Sequence, residues 1–257
     1  MVSNRLIGRL DIKGEWVVKG IQMDGLRRIG NPEEIAQAMS ESGADELLLV
    51  DVVASLYNRE NIYSIIQYVA TNLRIPLTVV GGIKSLDNAS MIFDSGADKI
   101  GINTAGIRDP KIFELVANRY GSQAMVASVE AKRDPKSHSW RVMSENGRTA
   151  SNLSVFDWCE TLMNLGVGEV LVTSIDSEGM QRGPDLDLVQ SIASTIDVPF
   201  VYSGGVRNSS DCSNLLKLEV DAIALASAIH YKKTTFGEIK SDLNREGFKI
   251  RNAEKIS

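Results

Sequence analysis

The second half of the chain repeats the first half at a constant spacing, and this repeat constrains the fold more than any other feature. The segment that ends in Gly81-Gly82 returns 123 residues later as the segment that ends in Gly204-Gly205. Matches at one common spacing in three separate places indicate a duplicated half rather than coincidence. The other two pairs at this spacing are Thr104 with Ser227 and Glu46 with Glu169.

Each repeated unit has the pattern of a phosphate-binding segment. It runs from a short apolar strand into Gly-Gly, then through a helix into a second apolar strand that ends in Thr or Ser. Glycine lets the backbone approach an anion closely, and free N–H groups at a helix N-terminus donate hydrogen bonds to it. Two units therefore predict two phosphate sites on opposite sides of one cavity, and an elongated ligand with a phosphate at each end. The candidate phosphate-binding residues are Gly81, Gly82, Thr104, Gly204, Gly205, Ala226 and Ser227.

Strands and helices alternate along the chain, which favours parallel strand pairing and an α/β fold. Eight strands with internal duplication favour a closed (β/α)8 TIM barrel over an open sheet, because closure leaves no strand edge. Such a barrel would take up residues 1–257 as a single domain, with half-barrels near 1–122 and 123–257. The eight strands are expected near residues 5–10, 46–50, 77–80, 99–102, 125–129, 169–173, 200–202 and 222–225.

Two longer segments follow the first and fifth strands. Residues 13–30 contain several glycines and Lys19, a composition that suits a mobile flap over a site. Residues 133–152 contain Asn146-Gly147, which predicts a hairpin with a tight turn. Both segments are expected on the barrel face whose loops carry function.

Charge and composition narrow the class of partner. The net charge is −5 and the pI is near 5.2, whereas nucleic acids and membrane surfaces select basic proteins. No apolar run is long enough to span a bilayer and no leader peptide is apparent, so the protein is expected in the cytoplasm. Cys159 and Cys212 lack the spacing of a metal or redox motif and are expected to be reduced thiols.

Acidic residues gather at the C-terminal ends of the expected strands, where barrel enzymes place their chemistry. Asp11 and Glu130 end the first and fifth strands and are expected to face each other across the barrel as a catalytic acid-base pair. Asp51, Asp176 and Glu178 lie at the same rim. For Asp51 and Asp176, a helix cap or an ion pair is an equally good interpretation.

Four charged residues begin strands at the opposite mouth of the barrel: Arg5, Glu46, Lys99 and Glu169. Because side chains alternate along a strand, Arg5 and Arg9 point into the barrel if Asp11 does. Position alone leaves two interpretations of the four charges open, an ion-pair plug that stabilises the barrel and a gate.

A series of motifs runs through nearly the whole chain and includes Leu10-Asp11-Ile12-Lys13, Asp51-Val-Val-Ala-Ser55, Gly121-Ser-Gln-Ala124 and Thr173-Ser-Ile-Asp176. Their order resembles that of the cyclase subunit of imidazole glycerol phosphate synthase. A related sugar isomerase of histidine synthesis shares the duplicated barrel and the double phosphate site, but the segments at Gly121 and Thr173 look like the cyclase.

The resemblance implies a glutaminase subunit of the HisH type, docked as a heterodimer at the barrel bottom, and no cofactor or metal ion. Ammonia released there would cross the barrel through the charged gate and attack a ribulosyl aminoimidazole carboxamide nucleotide with two phosphates. The products would be imidazole glycerol phosphate and an aminoimidazole carboxamide ribotide. Carried over residue by residue, the catalytic residues are Asp11 and Glu130, and the substrate-binding residues are Lys19, Asp51, Asn103, Thr173, Asp176 and Glu178.

Three residues depart from the family pattern. Glu130 and Glu178 stand where the family has aspartate, and Arg9 stands where it has a small interior residue. Arg9 on the inward face could pair with Glu130. The departures suggest a second hypothesis, an ammonia-conduit subunit that serves a glutaminase and a separate sugar amidotransferase in surface-polysaccharide synthesis. A third hypothesis, a sugar-phosphate isomerase, is disfavoured by the bottom gate. His138 and His230 are expected in surface or packing roles.

Overall fold

The computed structural model describes residues 3–53, 60–137 and 139–251. Eight parallel strands close into a barrel, in the order β1, β4, β5, β6, β7, β10, β11 and β12, and β12 pairs back to β1. The expected (β/α)8 TIM barrel is confirmed. In this part of the chain the strands are β1 (Arg5–Lys13), β2 (Trp16–Ile21), β3 (Asp24–Gly30), β4 (Glu46–Asp51), β5 (Leu77–Val80), β6 (Lys99–Ile102), β7 (Met125–Asp134), β8 (Ser139–Ser144), β9 (Thr149–Ser154), β10 (Glu169–Ser174), β11 (Phe200–Ser203) and β12 (Ala222–Leu225).

Helices follow the barrel strands and cover the outside of the barrel. Capping side chains fix several of their starts: Asn31 accepts the N–H groups of Glu33 and Glu34, and Ser85 accepts that of Asn88. The helices in the described ranges are α1 (Pro32–Glu41), α2 (Glu60–Asn72), α3 (Leu86–Asp94), α4 (Thr104–Arg108), α5 (Lys111–Tyr120), α6 (Val155–Asn164), α7 (Leu186–Ile192), α8 (Ser209–Leu216), α9 (Ser227–His230) and α10 (Phe236–Arg245).

Two antiparallel hairpins extend the barrel at its top. Strand β1 continues past the barrel and pairs with β2, which pairs with β3. Strand β7 likewise continues and pairs with β8, which pairs with β9. The hairpin expected in residues 133–152 is therefore confirmed, and residues 13–30, for which only a flap was expected, are also a paired hairpin.

An apolar layer fills the middle of the barrel. Ile7 belongs to this layer, so the alternation along β1 directs Arg5, Arg9 and Asp11 into the same interior, as the sequence predicts. The layer consists of Ile7, Leu48, Val80, Val126, Leu171, Val201, Ala222 and Ala224.

The sequence repeat is also a repeat in space. Gly81 and Gly204 have φ angles of +109° and +121°, and a Cβ atom would lie 2.6 Å from the Asp51 carbonyl oxygen or 2.7 Å from that of Ser174. Asp51 and Ser174 are themselves one repeat apart. Glycine is required at both positions because the backbone is left-handed and closely packed.

Cys159 and Cys212 are buried free thiols, as expected. Burial raises the pKa of the Cys159 thiol to about 12, so it stays protonated and unreactive at neutral pH. Across the described ranges, every helix is too short or too polar to cross a bilayer.

Candidate active site

The four charges at the barrel bottom form a closed ring of alternating sign. Arg5 Nη1 lies 2.8 Å from Glu46 Oε1 and 3.3 Å from Glu169 Oε2. Lys99 Nζ lies 2.8 Å from Glu169 Oε2 and 3.6 Å from Glu46 Oε2. Each cation thus contacts both anions, and the ring closes the lower mouth beneath the apolar layer.

A second, more deeply buried charge cluster lies at the top of the barrel. Arg9 Nε donates to Asp11 Oδ1 at 2.8 Å, and Lys19 Nζ donates to Asp11 Oδ2 at 2.7 Å. Lys19 also forms an ion pair with Glu178, whose other oxygen lies 3.8 Å from Arg9 Nη1. Two cations and two carboxylates therefore balance one another in a site that is almost closed to solvent. We call Arg9, Asp11, Lys19 and Glu178 the central cluster.

Arg9 does not pair with Glu130, contrary to the expectation from the sequence. Its guanidinium donates to Thr173 Oγ1 at 3.2 Å and Ser203 Oγ at 2.9 Å, in addition to Asp11. Thr173 is on β10 and Ser203 on β11, three and two strands away from β1 around the barrel. The Arg9 guanidinium thus contacts β10 and β11 as well as Asp11 on its own strand. It forms an ion pair with Asp11 and not with Glu130.

Glu130 has a different environment from Asp11. Its Oε2 accepts the N–H of Gly147 in the β8–β9 turn at 2.7 Å. Burial raises the pKa of the Glu130 carboxyl to about 7, and the hydrogen bonds from Gly147 and Asn103 oppose that rise only in part. At neutral pH this carboxyl can therefore exchange a proton.

Asp11 is held in its ionised form. Burial alone would raise its pKa, but the positive charges of Arg9 and Lys19 and their hydrogen bonds outweigh burial and lower the pKa of Asp11 below its usual range. Asp11 and Glu130 lie on β1 and β7, which are opposite each other in the barrel. Two facing carboxyls with separated pKa values are the arrangement that supports an acid and a base.

The first Gly-Gly unit borders an open cavity of about 290 Å³ at the barrel top. Gly81, Gly82 and Thr104 line it, together with Glu130 and Asn103. Basic side chains at its rim also suit an anionic ligand; they are Lys84, Arg108 and Arg148.

The second Gly-Gly unit borders a separate, much smaller cavity of about 10 Å³, lined by Gly204, Gly205, Ala226, Ser227 and Glu178. In this conformation the two units thus border separate cavities, and one cavity that joins them remains a prediction. Arg9 donates to Ser203 and Lys19 pairs with Glu178, two residues that line the smaller cavity, and the tip of the β2–β3 hairpin contacts the same segment. At the tip, Gln22 donates its backbone N–H to the Glu178 carbonyl at 2.7 Å.

The remaining candidate residues divide between the cavity and the scaffold. Asp51 and Asn103 line the larger cavity. Thr173 is buried beside Arg9. Asp176 accepts the backbone N–H of Arg133 at 2.7 Å and so links the segment after β10 to β7.

Two residues of the site were not found by sequence reasoning. His230, expected in a packing role, places its Nε2 3.1 Å from the Arg9 carbonyl oxygen, and burial together with the charge of Lys19 lowers the pKa of its imidazole to about 4. Ser203 is a partner of Arg9. Ser203 directly precedes Gly204-Gly205, which was the available signal, whereas nothing local marks His230. His138 lies outside the described residues.

Known proteins with similar sequences identify the family. The model of the family described as histidine biosynthesis protein matches residues 5–235. Imidazole glycerol phosphate synthase subunit HisF of Legionella pneumophila is 47% identical over 206 residues, covering 80% of this chain and 97% of the relative. The HisF subunit of Geobacillus thermodenitrificans is 38% identical over 252 residues, covering 98% of this chain and all of the relative. That of Myxococcus xanthus is 38% identical over 253 residues, with 98% and 99% coverage.

The family match over residues 5–235 spans the two Gly-Gly units, the ring and the central cluster. The chain therefore belongs to the histidine biosynthesis protein family, among the relatives of the HisF subunit of imidazole glycerol phosphate synthase.

Proposed function

We propose that this barrel is the cyclase subunit of an imidazole glycerol phosphate synthase in histidine biosynthesis. Its substrate would be a ribulosyl aminoimidazole carboxamide nucleotide with a phosphate at each end, and its second substrate would be ammonia. The observation that carries the proposal is the facing pair Asp11 and Glu130 between two repeated Gly-Gly units. The names of the relatives support the same activity.

The two carboxyls suit the two kinds of proton transfer that the reaction needs. Attack of ammonia on a carbonyl carbon and the later ring closure both require protons to be removed from nitrogen and delivered to oxygen. Asp11, which stays ionised, would accept protons, and Glu130, with a pKa of about 7, would donate them. The closed central cluster would exclude water while the nitrogen is transferred.

The two ends of the substrate would lie at the two Gly-Gly units. One phosphate would bind near Gly82 and Thr104, and the other near Gly205 and Ser227. Asn103, Asp51, Lys19, Thr173, Asp176 and Glu178 are the proposed substrate-binding residues, and Lys19 would have to leave Asp11 for the substrate to enter.

Ammonia would enter through the ring of Arg5, Glu46, Lys99 and Glu169 and continue along the apolar layer above it. A glutaminase subunit of the HisH type, docked at the barrel bottom as a heterodimer, would supply it. An apolar passage suits the neutral molecule, which is the nucleophile, and disfavours the ammonium ion. We propose further that residues 1–257 act in the cytoplasm as one barrel domain with half-barrels near 1–122 and 123–257.

A direct assay tests the proposal. The purified chain, supplied with ammonium salts and the bisphosphate nucleotide, is expected to form imidazole glycerol phosphate, measured chromatographically. Asp11→Asn and Glu130→Gln should each reduce the turnover at least about a hundredfold, because a carboxamide keeps the shape but transfers no proton. Glu114→Gln makes the same chemical change on the exposed face of α5 and should leave turnover intact. An inactive wild-type barrel would reject cyclase activity and leave only ammonia conduction.

A further inference from the structure

Both oxygens of the Asp11 carboxylate are already occupied in this structure. Arg9 Nε holds Oδ1 at 2.8 Å and Lys19 Nζ holds Oδ2 at 2.7 Å. Asp11 is only 5% exposed. A substrate can therefore reach Asp11 only after one of the two cations has left it.

Lys19 and Arg9 are held in place by different contacts. Lys19 lies on β2, one residue beyond the last pair that β2 forms with β1, and past it the hairpin tip is bonded to the barrel loops through Gln22, an exposed residue that donates to the Glu178 and Asp176 carbonyls. Arg9 belongs to β1 inside the closed barrel, and it is fixed by Thr173 and Ser203 on two other strands. Lifting the hairpin beyond Val18 would break the Gln22 bonds and the Lys19 ion pairs, whereas moving Arg9 would break contacts to three barrel strands.

From this difference we propose that Arg9 is a positioning residue, which keeps the Asp11 carboxylate in place and charged when the β2–β3 hairpin carries Lys19 away to admit the substrate. The inference rests on the proposed role of Asp11 in catalysis. It assigns a purpose to the residue that departs most from the family pattern, since a small residue at position 9 could not contact Asp11 in this way.

The charged and titratable groups near Asp11 come from four elements. Arg9 lies on β1 and Lys19 on β2, while Glu178 follows β10 and His230 ends α9. Glu178 is an anion and His230 is mostly neutral above pH 5, so neither can replace the charge of Arg9. Without Arg9, an open hairpin would leave Asp11 with no cation, and the carboxylate would be protonated at a higher pH.

The test compares Arg9→Gln with Arg9→Lys in the ammonium-dependent reaction. Glutamine removes the charge but keeps an N–H donor for Thr173 and Ser203. We expect kcat to fall about a hundredfold, as for other losses of alignment in an active site, and the acidic limb of the pH profile to move up by about one unit or more. Arg9→Lys should restore at least about a tenth of the wild-type kcat and the original acidic limb. Glu114→Gln, the exposed control on α5, should leave that limb unchanged.

A second measurement does not depend on turnover. The ¹³C chemical shift of the Asp11 carboxyl, identified by its loss in Asp11→Asn, should titrate at a higher pH in Arg9→Gln than in the wild type, and still more so in Arg9→Gln combined with Lys19→Met.

An unchanged Asp11 titration, or a wild-type acidic limb in active Arg9→Gln, would overturn the inference. An inactive wild-type protein in which Arg9→Gln still shifts the Asp11 titration would instead reject the cyclase function alone. If Arg9→Gln does not fold, Arg9→Met takes its place in both measurements; if neither folds, Arg9 is a structural residue and the inference is wrong.

Discussion

Asp11 and Glu130 occupy matching places on opposite strands of the barrel. Each lies at the first register position where its strand pairs with a hairpin strand, Asp11 opposite Val18 and Glu130 opposite Met143. Asp11 contacts two cations there, whereas Glu130 accepts a backbone N–H from Gly147. The same position in the fold thus holds one carboxyl that stays ionised and one whose pKa is about 7.

The raised pKa of Glu130 predicts that its contribution to stability decreases with pH. The unfolded carboxyl has a pKa near 4.5 and the folded one near 7, so between these values the folded state binds more protons. The contribution is full below about pH 4.5 and is lost as the pH rises through 7, and it amounts to about 3 kcal/mol. Urea denaturation of the wild type and Glu130→Gln at pH 4.5 to 8 would measure it. The free-energy difference between the two proteins should shift in favour of Glu130→Gln as the pH rises; a difference that stays constant would contradict the raised pKa.

His230 predicts the opposite slope. Burial and the charge of Lys19 lower the pKa of its imidazole from 6.5 to about 4, so the unfolded state binds more protons between these values. Its contribution is full above about pH 6.5 and is lost as the pH falls through 4, again by about 3 kcal/mol. His230→Gln keeps a side-chain N–H for the Arg9 carbonyl and has no titration. Relative to the wild type it should gain stability as the pH falls below 6, and parallel curves in thermal unfolding would speak against this.

Reversing the charge of Lys99 in the bottom ring should lower turnover with glutamine more than turnover with ammonium salts. In Lys99→Glu three carboxylates would meet around Arg5, and the repulsion should disturb the ring and the docked glutaminase. Glutamine-dependent turnover of the complex should fall at least about tenfold, while turnover with ammonium salts stays within about threefold. Lys111→Glu, on the exposed first turn of α5, is the matched control and should affect neither. Equal losses with both nitrogen sources would mean that Lys99 serves the barrel fold and not the passage of ammonia.

The paired Gly-Gly units should bind two phosphate ions. A structure with inorganic phosphate should show one ion near Gly82 and Thr104 and the other near Gly205 and Ser227. Gly204→Ala would press a methyl group against the Ser174 carbonyl, so it should weaken binding of the bisphosphate about tenfold or more, measured by calorimetry. Gly166→Ala also has a left-handed φ, but its Cβ would meet no atom within 4 Å, and it should bind the bisphosphate normally. Phosphate at neither unit would refute both sites.

Much of the architecture follows from regularities that are local in the sequence. Alternation of strands and helices, together with a repeat of constant length, predicts a closed barrel because neighbouring units of this kind pair in one direction. Strand periodicity then places Arg5, Arg9 and Asp11 in the interior, and the repeat relates Glu46 to Glu169. The start of β6 adds Lys99, and the four members of the bottom ring do contact one another.

The tertiary structure alone decided which groups at the top of the barrel meet. The sequence places Arg9 inside but not its partner, and the contacts that fix it join residues 164 and 194 positions apart. His230 meets the Arg9 carbonyl across 221 positions, and Lys19 reaches Asp11 only because residues 13–30 fold into a hairpin. A buried charge takes the nearest partner that satisfies its hydrogen bonds, and which partner is nearest depends on barrel stagger and hairpin path, which no local pattern encodes. The sequence by itself thus determined the barrel, its repeat and its candidate residues, while the folded chain determined that Asp11 is paired and Glu130 is free to exchange a proton.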